Sequence, residues 1–419
     1  MDNLIITPNI YAKMVLMNLG SELNVCTNMS HSVSREFGKS DSNGFKPGAK
    51  VGVKRPYRFK PTKGLRYEPQ PIIDTEFQVT VSQVAQVSYD WDAIEKTLSL
   101  REAEELYAKP AAMDLASLIN SEAATFCAQN AMNSAGTPGS VPTSEATYLT
   151  AGDLIVAQGL PKNEPLTAIV NRRQSSAFVS GTKTLFNPTG IIGKQWNDGE
   201  IQPSLGYKIV LDQTINTHTV GTFSGTPLVN GANQTAEGGN NATMTLNTDG
   251  WTSTTLNVGD TFTLGSASSA TVGGVQSVHP RTRKATGYQQ QFRVVNQITD
   301  SSGTINMVVY PAITISGPYQ NVDGAPVDNA IITLVGTTGA TSQQGLLMHK
   351  TAFAFVSVPI QGPDKGEGAV VSQQEDPETG ISIQLVKAFD YVEHRSINKM
   401  LVLYDFARMY GELAAVIQS

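Results

Sequence analysis

The sequence predicts an α+β fold in which an all-β domain is inserted into a host of mixed helices and strands. Residues 101–133 have the apolar spacing of a long helix, and residues 150–215 alternate between helix and strand patterns. Residues 222–345 contain only short β-type runs within a stretch rich in Thr, Ser, Gly and Asn. Because α/β patterns resume after this stretch, we interpret it as an insertion.

The composition excludes several classes of protein. Of the 419 residues 40% are hydrophobic and 16% are charged, which suits a chain with cores rather than a disordered one. The 30 basic and 36 acidic side chains give a net charge of −6, without the basic excess of a dedicated nucleic-acid binder. Cys26 and Cys127 are too few for a disulfide framework. No apolar stretch approaches the ~20 residues of a membrane span, which predicts a soluble protein without membrane contact.

The N-terminal region predicts an arm rather than a domain. Residues 9–20 have the spacing of a short amphipathic helix, and residues 31–45 are polar and rich in Ser. The first residues lack the basic region of a secretory signal, so we expect a protein made in the cytosol.

Residues 46–66 are the most basic stretch of the chain and contain no Asp or Glu. Its eight cations are Lys46, Lys50, Lys54, Arg55, Arg58, Lys60, Lys63 and Arg66. β-type residues and the turn at Lys63 and Gly64 predict an exposed β-hairpin.

The next stretch, residues 74–105, is acidic, with Glu102, Glu104 and Glu105 at the predicted start of the long helix. The basic stretch could contact nucleic-acid phosphates, or it could dock onto an acidic surface of another copy of the chain. Because every copy carries both stretches, we favour assembly. The candidate inter-subunit contacts are Lys54, Arg55, Arg58, Lys60, Lys63, Arg66, Asp74, Glu76, Asp90, Asp92 and Glu95.

The remaining elements follow from local patterns. Within the long helix Pro110 should cause a kink or a break. A further helix is expected over 172–181, and residues 400–418 should form a strand followed by a helical tail. Strands are expected over 77–89, 166–170, 207–211, 260–264, 291–299, 304–310, 330–335, 353–358 and 381–386.

No catalytic constellation is present in the sequence. The Gly-rich stretch 190–195 lacks the first glycine and the Ser or Thr of a phosphate-binding loop. The five histidines are scattered without metal-ligand spacing, Gly-x-Ser-x-Gly is absent, and Cys127 falls inside the long helix. The sequence therefore predicts a protein that is not an enzyme and holds no cofactor or metal.

The order of the segments described above resembles that of the major capsid proteins of tailed double-stranded DNA phages. Three local motifs support this resemblance. They are Asn197–Gln202 followed by Leu205–Tyr207, Phe355–Ile360, and Met400–Ala407 with Glu412. Asp405 stands where such proteins commonly have glycine. The likeness is closest to coat proteins of short-tailed Salmonella phages, which have the HK-ninety-seven-type fold with an inserted Ig-like domain.

The resemblance implies a capsid subunit built from named parts. These are an N-terminal arm (1–45), an extended loop (46–76), a peripheral domain with the spine helix (77–149), a first part of the axial domain (150–221), the inserted β-domain (222–345) and a closing axial and peripheral part (346–419). The inserted domain would stand outside the shell and assist folding.

The resemblance also implies the function and the partners. Copies would form hexamers and pentamers of a non-covalent icosahedral shell, assembled in the bacterial cytoplasm and present in the virion. A scaffolding protein, a portal and weakly, non-specifically bound double-stranded DNA would be the other partners. The alternatives are an encapsulin-like nanocompartment subunit, against which the insertion counts, and a β-rich adhesin or decoration protein, which would not explain the long helix.

Overall fold

The structure is a computed structural model that describes most of the chain outside the N-terminal region. The described residues are 15–16, 19, 23–32, 50–54, 58–61, 63–65, 76–92, 109–160, 164–182, 206–271, 273–300, 302–360, 362, 369–376, 380–392 and 394–419.

Helices and many strands occur together, which confirms the α+β class. The α-helices with described bounds are α1 (Asn24–Thr27), α2 (Lys109–Asn130), α3 (Glu145–Ala157) and α4 (Arg172–Thr182). The strands before residue 222 are β1 (Lys50–Lys54), β2 (Glu76–Thr80), β3 (Gln83–Asp92), β4 (Asn133–Ala135), β5 (Leu166–Val170), β6 (Tyr207–Leu211) and β7 (Thr217–Thr219). The strands of residues 222–345 that lie wholly within them are β8 (Gly225–Val229), β9 (Met244–Trp251), β10 (Thr254–Leu256), β11 (Thr261–Leu264), β12 (Gln276–Val278), β13 (Ala285–Gln289), β14 (Gln291–Val294), β15 (Ile298–Asp300), β16 (Ile305–Tyr310), β17 (Ile332–Leu334) and β18 (Thr341–Gln343). The closing strands are β19 (Gly345–His349), β20 (Phe353–Val358), β21 (Ala369–Glu375), β22 (Ser382–Asp390), β23 (Arg395–Arg408) and β24 (Ala414–Ile417).

The chain divides into two compact units. The first contains Met1–Val53, Glu76–Ala123 and Phe353–Ala407, and the second contains Lys54–Thr75, Ala124–Ala352 and Arg408–Ser419.

A sheet that contains the long strand β23 is the main element of the first unit. Its order is β20-β23-β22-β21, and β3 also pairs with β23. β3 and β22 both run antiparallel to β23, with Met400 opposite Val87 and Leu385. Asp405 of β23 accepts hydrogen bonds from the backbone N–H and the hydroxyl of Ser82, both at 3.3 Å. Burial raises the pKa of Asp405, and these hydrogen bonds oppose the rise.

Helix α2 follows the predicted apolar spacing. Leu115, Ile119 and Ala123 are fully buried along one side. Pro110 is the second residue of helix α2, and the residues before Lys109 lie outside the described part of the chain. Glu102, Glu104 and Glu105 lie outside the described residues.

The second unit contains a five-stranded mixed sheet in the order β4-β24-β19-β5-β6. Its outer pairs, β4 with β24 and β5 with β6, are parallel, and β19 runs antiparallel to both of its neighbours. The C-terminal strand β24 is fully buried between β19 and β4. The predicted helical tail is therefore wrong, because a short apolar run with partners on both sides forms a strand.

Residues 222–345 form a six-stranded sheet in the order β17-β11-β14-β16-β9-β8, with smaller sheets beside it. Buried and exposed residues alternate along β9, as they do in a strand with one face on a core. A cluster of buried hydrophobic side chains includes Leu246, Phe262 and Phe292. All the buried residues of this cluster lie between Val229 and Ile332 in the sequence. β7 and β18 pair antiparallel, so the chain enters and leaves this region on adjacent strands.

The basic stretch is described in part. β1, near its start, pairs with β2, which begins at Glu76. The described residues 58–61 and 63–65, which lie between β1 and β2 in the sequence, belong to no strand. The hairpin stays a prediction, because residues 46–49, 55–57, 62 and 66 lie outside the described residues.

Candidate subunit-contact surfaces

The predicted contact residues fall into three groups. Arg58, Lys60, Lys63 and Asp90 are described with their side chains. Lys54, Glu76 and Asp92 lie on β1, β2 and β3, where the backbone is described. Arg55, Arg66, Asp74 and Glu95 lie outside the described residues.

Residues 58–61 and 63–65, which we call the cationic segment, present charged and apolar side chains to solvent. Lys60 and Lys63 are exposed. Phe59 is 61% exposed, and Leu65 is fully exposed. Exposed apolar side chains beside cations are typical of a surface that another protein covers.

The buried carboxylate of Glu412 anchors the base of the cationic segment. Arg58 Nη2 lies 3.2 Å from Glu412 Oε1, and the two side chains are 28% and 1% exposed. The other carboxylate oxygen of Glu412 has no hydrogen-bond partner among the described residues. Arg58, predicted to contact another subunit, therefore also pairs within its own chain. Glu412 was not among the predicted contact residues. It lies 354 positions from Arg58 in the sequence, so no local pattern joins the two.

Asp90 also has a partner in its own chain. Arg395 Nη1 lies 3.2 Å from Asp90 Oδ2, and both side chains are about half exposed. Arg395 and Asp90 lie at the same end of the β3–β23 ladder, where Arg395 is opposite Asp92 and Asp90 is opposite Ile397, so this pair links the two strands diagonally there. Exposed pairs of this kind contribute about 0–1 kcal/mol.

A cleft of about 390 Å³ lies beside the cationic segment. Its lining residues are Arg58, Phe59, Pro61, Gln158, Gly159, Pro280, Arg281 and Arg283. Three of them are arginines, and two of these arginines come from residues 279–284, a turn between β12 and β13. Sequence reasoning missed this turn, although three of its last four residues are cationic.

A second exposed surface lies at the tip of the β22–β23 hairpin in the first unit. Phe389, Tyr391, Val392 and Ile397 are all exposed there. The ring of Phe389 meets that of His394 edge to face at 5.8 Å. Such a group of apolar side chains marks a candidate interaction surface.

The described residues contain no group of three or more His, Cys, Asp or Glu that could hold a metal ion. His218 lies 2.9 Å from Asp260, and His349 lies 3.2 Å from Glu164, each as a single pair. Cys26 and Cys127 are both buried. Within the described part of the chain, no helix has both the length and the apolar character needed to cross a membrane.

Solved structures of phage particles resemble the chain, all at low sequence identity. The structure titled "Mycobacterium phage Che8" is 11% identical, with 94% of this chain and 90% of that chain covered and a TM-score of 0.45. The capsid of cyanophage P-SCSP1u is 10% identical, with 89% and 84% covered and a TM-score of 0.40. The mature capsid of bacteriophage PhiM1 is 9% identical, with 89% and 82% covered and a TM-score of 0.41. No curated protein matches the chain.

The sequence model of the family described as "P22 coat protein - gene protein 5" matches residues 52–413. Because this match covers most of the chain, it shows that the protein is a structural protein of a virus shell. The chain belongs to the P22 coat protein family, and it is a major capsid protein that forms the shell of a tailed bacteriophage. The nanocompartment and adhesin alternatives are not favoured.

Proposed function

We propose that copies of this capsid protein are held together in the shell partly by the cationic segment, which docks onto acidic surfaces of neighbouring copies. The observation that carries the proposal is the exposure of Phe59, Lys60, Lys63 and Leu65 on a segment whose base is fixed by Glu412. A segment fixed at its base but uncovered farther along leaves a surface available to a partner.

Charge supports an acidic protein partner. The chain has 36 acidic and 30 basic side chains, so each copy has acids in excess. One exposed ion pair contributes little, about 0–1 kcal/mol. Several pairs repeated at every contact of a closed shell add up to a decisive contribution to assembly.

The test reverses the charge of the two exposed lysines that are not needed to pair Glu412. The Lys60→Glu, Lys63→Glu double variant should remain a folded monomer and give about tenfold fewer shells. Shell yield is measured by sedimentation after assembly, and DNA retention is measured separately in particles from infected cells.

Lys350→Glu is the matched control, because Lys350 is an exposed lysine outside the cationic segment. Its shell yield should equal that of the unaltered chain. Normal empty shells that fail to retain DNA in the double variant would assign the segment to the genome instead. Normal yield and normal DNA retention would also refute the proposal.

The remaining partners are proposed from the family. Copies would form hexamers and pentamers in a non-covalent icosahedral shell, assembled in the host cytoplasm with a scaffolding protein and a portal. Packaged double-stranded DNA would touch the shell weakly and without sequence preference, in keeping with the net charge of −6. We also propose that the protein is not an enzyme.

We further propose that residues 222–345 are an inserted domain with its own core. The packed cluster between Val229 and Ile332 and the adjacent entry and exit strands β7 and β18 support this. Insertions that enter and leave at neighbouring points disturb the host fold least.

A further inference from the structure

We propose that residues 279–284, which we call the arginine turn, form with the cationic segment a cleft that receives a carboxylate-bearing segment of a second copy of this chain. This inference rests on the proposed function, since it names where the cationic segment receives its partner. The arginine turn lies more than two hundred positions along the chain from the cationic segment, and only folding brings the two together at the cleft.

The arginine turn has a fixed shape. The His279 ring nitrogen Nδ1 accepts hydrogen bonds from the backbone N–H groups of Arg281 and Thr282, at 3.2 and 3.3 Å. The backbone N–H of Arg283 donates to the His279 carbonyl at 2.9 Å. A turn closed by these bonds holds its arginines in place before a partner arrives, which lowers the entropic cost of binding.

Arg283 is fixed further by its side chain. Its guanidinium donates to the carbonyl of Gln320 at 3.1 Å and to the carbonyl of Pro318. Its backbone is in the left-handed region, with φ of 56°. A non-glycine residue in this region is uncommon, and such residues persist where the surrounding structure determines them.

The positive charge of the arginine turn is not balanced by a carboxylate among the described residues. Arg283 has no carboxylate within ion-pair distance among the described residues, and its Nε has no hydrogen-bond partner there. Burial and the neighbouring Arg58 guanidinium both lower the pKa of Arg283. Arg281 and Lys284 add two exposed cations to the same turn. An anion in the cleft would offset this repulsion.

The walls of the cleft favour a protein segment over a nucleic acid. Phe59, Pro61 and Pro280 contribute apolar surface that suits the aliphatic stems of Asp and Glu side chains. A volume of about 390 Å³ has room for a few side chains. Arg58, which lines this cleft, already pairs with the carboxylate of Glu412. A second copy is the partner that is present at every contact of a shell.

The test reverses the two exposed cations of the arginine turn and leaves the cationic segment intact. The Arg281→Glu, Lys284→Glu double variant should unfold at the same temperature as the unaltered chain, because both side chains are exposed. Shell yield at low salt should fall about tenfold. Since the altered contact is then repulsive and salt screens repulsion, raising the salt concentration should restore part of the yield. Lys350→Glu is again the matched control.

Each outcome decides the inference. Unchanged yield would overturn it, as would a loss of yield that does not respond to salt, which would indicate a defect of packing. Normal shells that retain less DNA would overturn it in favour of a nucleic-acid contact. If the charge reversal impairs folding, the Arg281→Gln, Lys284→Gln variant replaces it, with a smaller loss of yield expected and unchanged yield overturning the inference.

The two proposals fail separately. If the Lys60→Glu, Lys63→Glu variant assembles and retains DNA normally, the proposed function of the cationic segment is wrong. If that variant fails to assemble while the Arg281→Glu, Lys284→Glu variant assembles normally, only the present inference is wrong.

Discussion

Arg293 Nη1 donates a hydrogen bond to the backbone carbonyl of Ala128 at 2.7 Å, in the last turn of helix α2. The same guanidinium donates to the carbonyls of Gly259 at 3.0 Å and Asn133 at 3.3 Å. Arg293 is on β14, within residues 222–345, and is almost completely buried. Burial lowers its pKa to about 10, and Asp260 opposes the change, so it stays protonated at neutral pH. A side chain of residues 222–345 thus caps the C-terminal end of helix α2.

Replacement of this side chain should destabilise the whole second unit. Arg293→Met leaves buried carbonyls without donors, and we expect a loss of about 3 kcal/mol or more in the free energy of unfolding. Denaturant unfolding of the full chain measures it. Arg281→Met, which alters an exposed arginine of the same region, should change stability by less than about 0.5 kcal/mol. Equal effects of the two variants would contradict the capping role.

Residues 222–345 should fold on their own. Because its packed core lies between Val229 and Ile332, a fragment of residues 222–345 should show a cooperative thermal transition by circular dichroism. Arg293→Met should cost less in the fragment than in the full chain, since Ala128 and Asn133 are absent from the fragment. A protease-sensitive coil without a transition would show that residues 222–345 are not an independent domain.

The Arg58–Glu412 pair should stabilise the monomer. Arg58→Met leaves the buried carboxylate of Glu412 without its partner, at an expected cost of about 3 kcal/mol. Adding Glu412→Gln should recover most of the loss in denaturant unfolding. Arg395→Met, which removes the half-exposed pair with Asp90, should cost less than about 1 kcal/mol. Losses of the same size from both pairs would refute the anchoring role of Glu412.

Tyr148 should make stability depend on pH in alkaline solution. Burial raises its pKa from 10.0 to about 12, and its hydroxyl has no hydrogen-bond partner among the described residues. Between pH 10 and 12 the unfolded chain releases this proton, whereas the folded chain retains it because burial disfavours the charged phenolate. The free energy of unfolding therefore falls as pH rises. Tyr148→Phe retains the edge-to-face packing on Phe178 and should remove this dependence. Unfolding followed at pH 9 and pH 11 for both chains tests it, and identical pH profiles would contradict it.

Local patterns predicted the elements whose form depends on near neighbours. β5, β6 and β20 have the predicted bounds, because short apolar runs between turns form strands in most contexts. β24 was missed, since only its burial between β19 and β4 makes Ala414–Ile417 a strand. The predicted strand over 291–299 is interrupted, as β14 ends at Val294 and β15 begins at Ile298.

For the candidate surfaces too, the sequence predicts local features but not the contacts between distant residues. The charge of the cationic segment is visible in the sequence, because the segment lies in a stretch that contains cations and no Asp or Glu. The burial of Glu412 under Arg58 is not, because it joins residues from opposite ends of the chain. The arginine turn is a cationic cluster in the sequence, but its place beside Phe59 and Pro61 depends on the packing of residues 222–345.

Direct observation of assembly tests the central claim that this chain forms a closed shell. The purified protein is mixed with the cognate scaffolding protein and examined by electron microscopy and sedimentation. Because obligate interfaces bury more than about 2,000 Å² and would be shared among many neighbours, we expect closed icosahedral shells. Persistent monomers at high concentration, with the scaffolding protein present, would contradict the account.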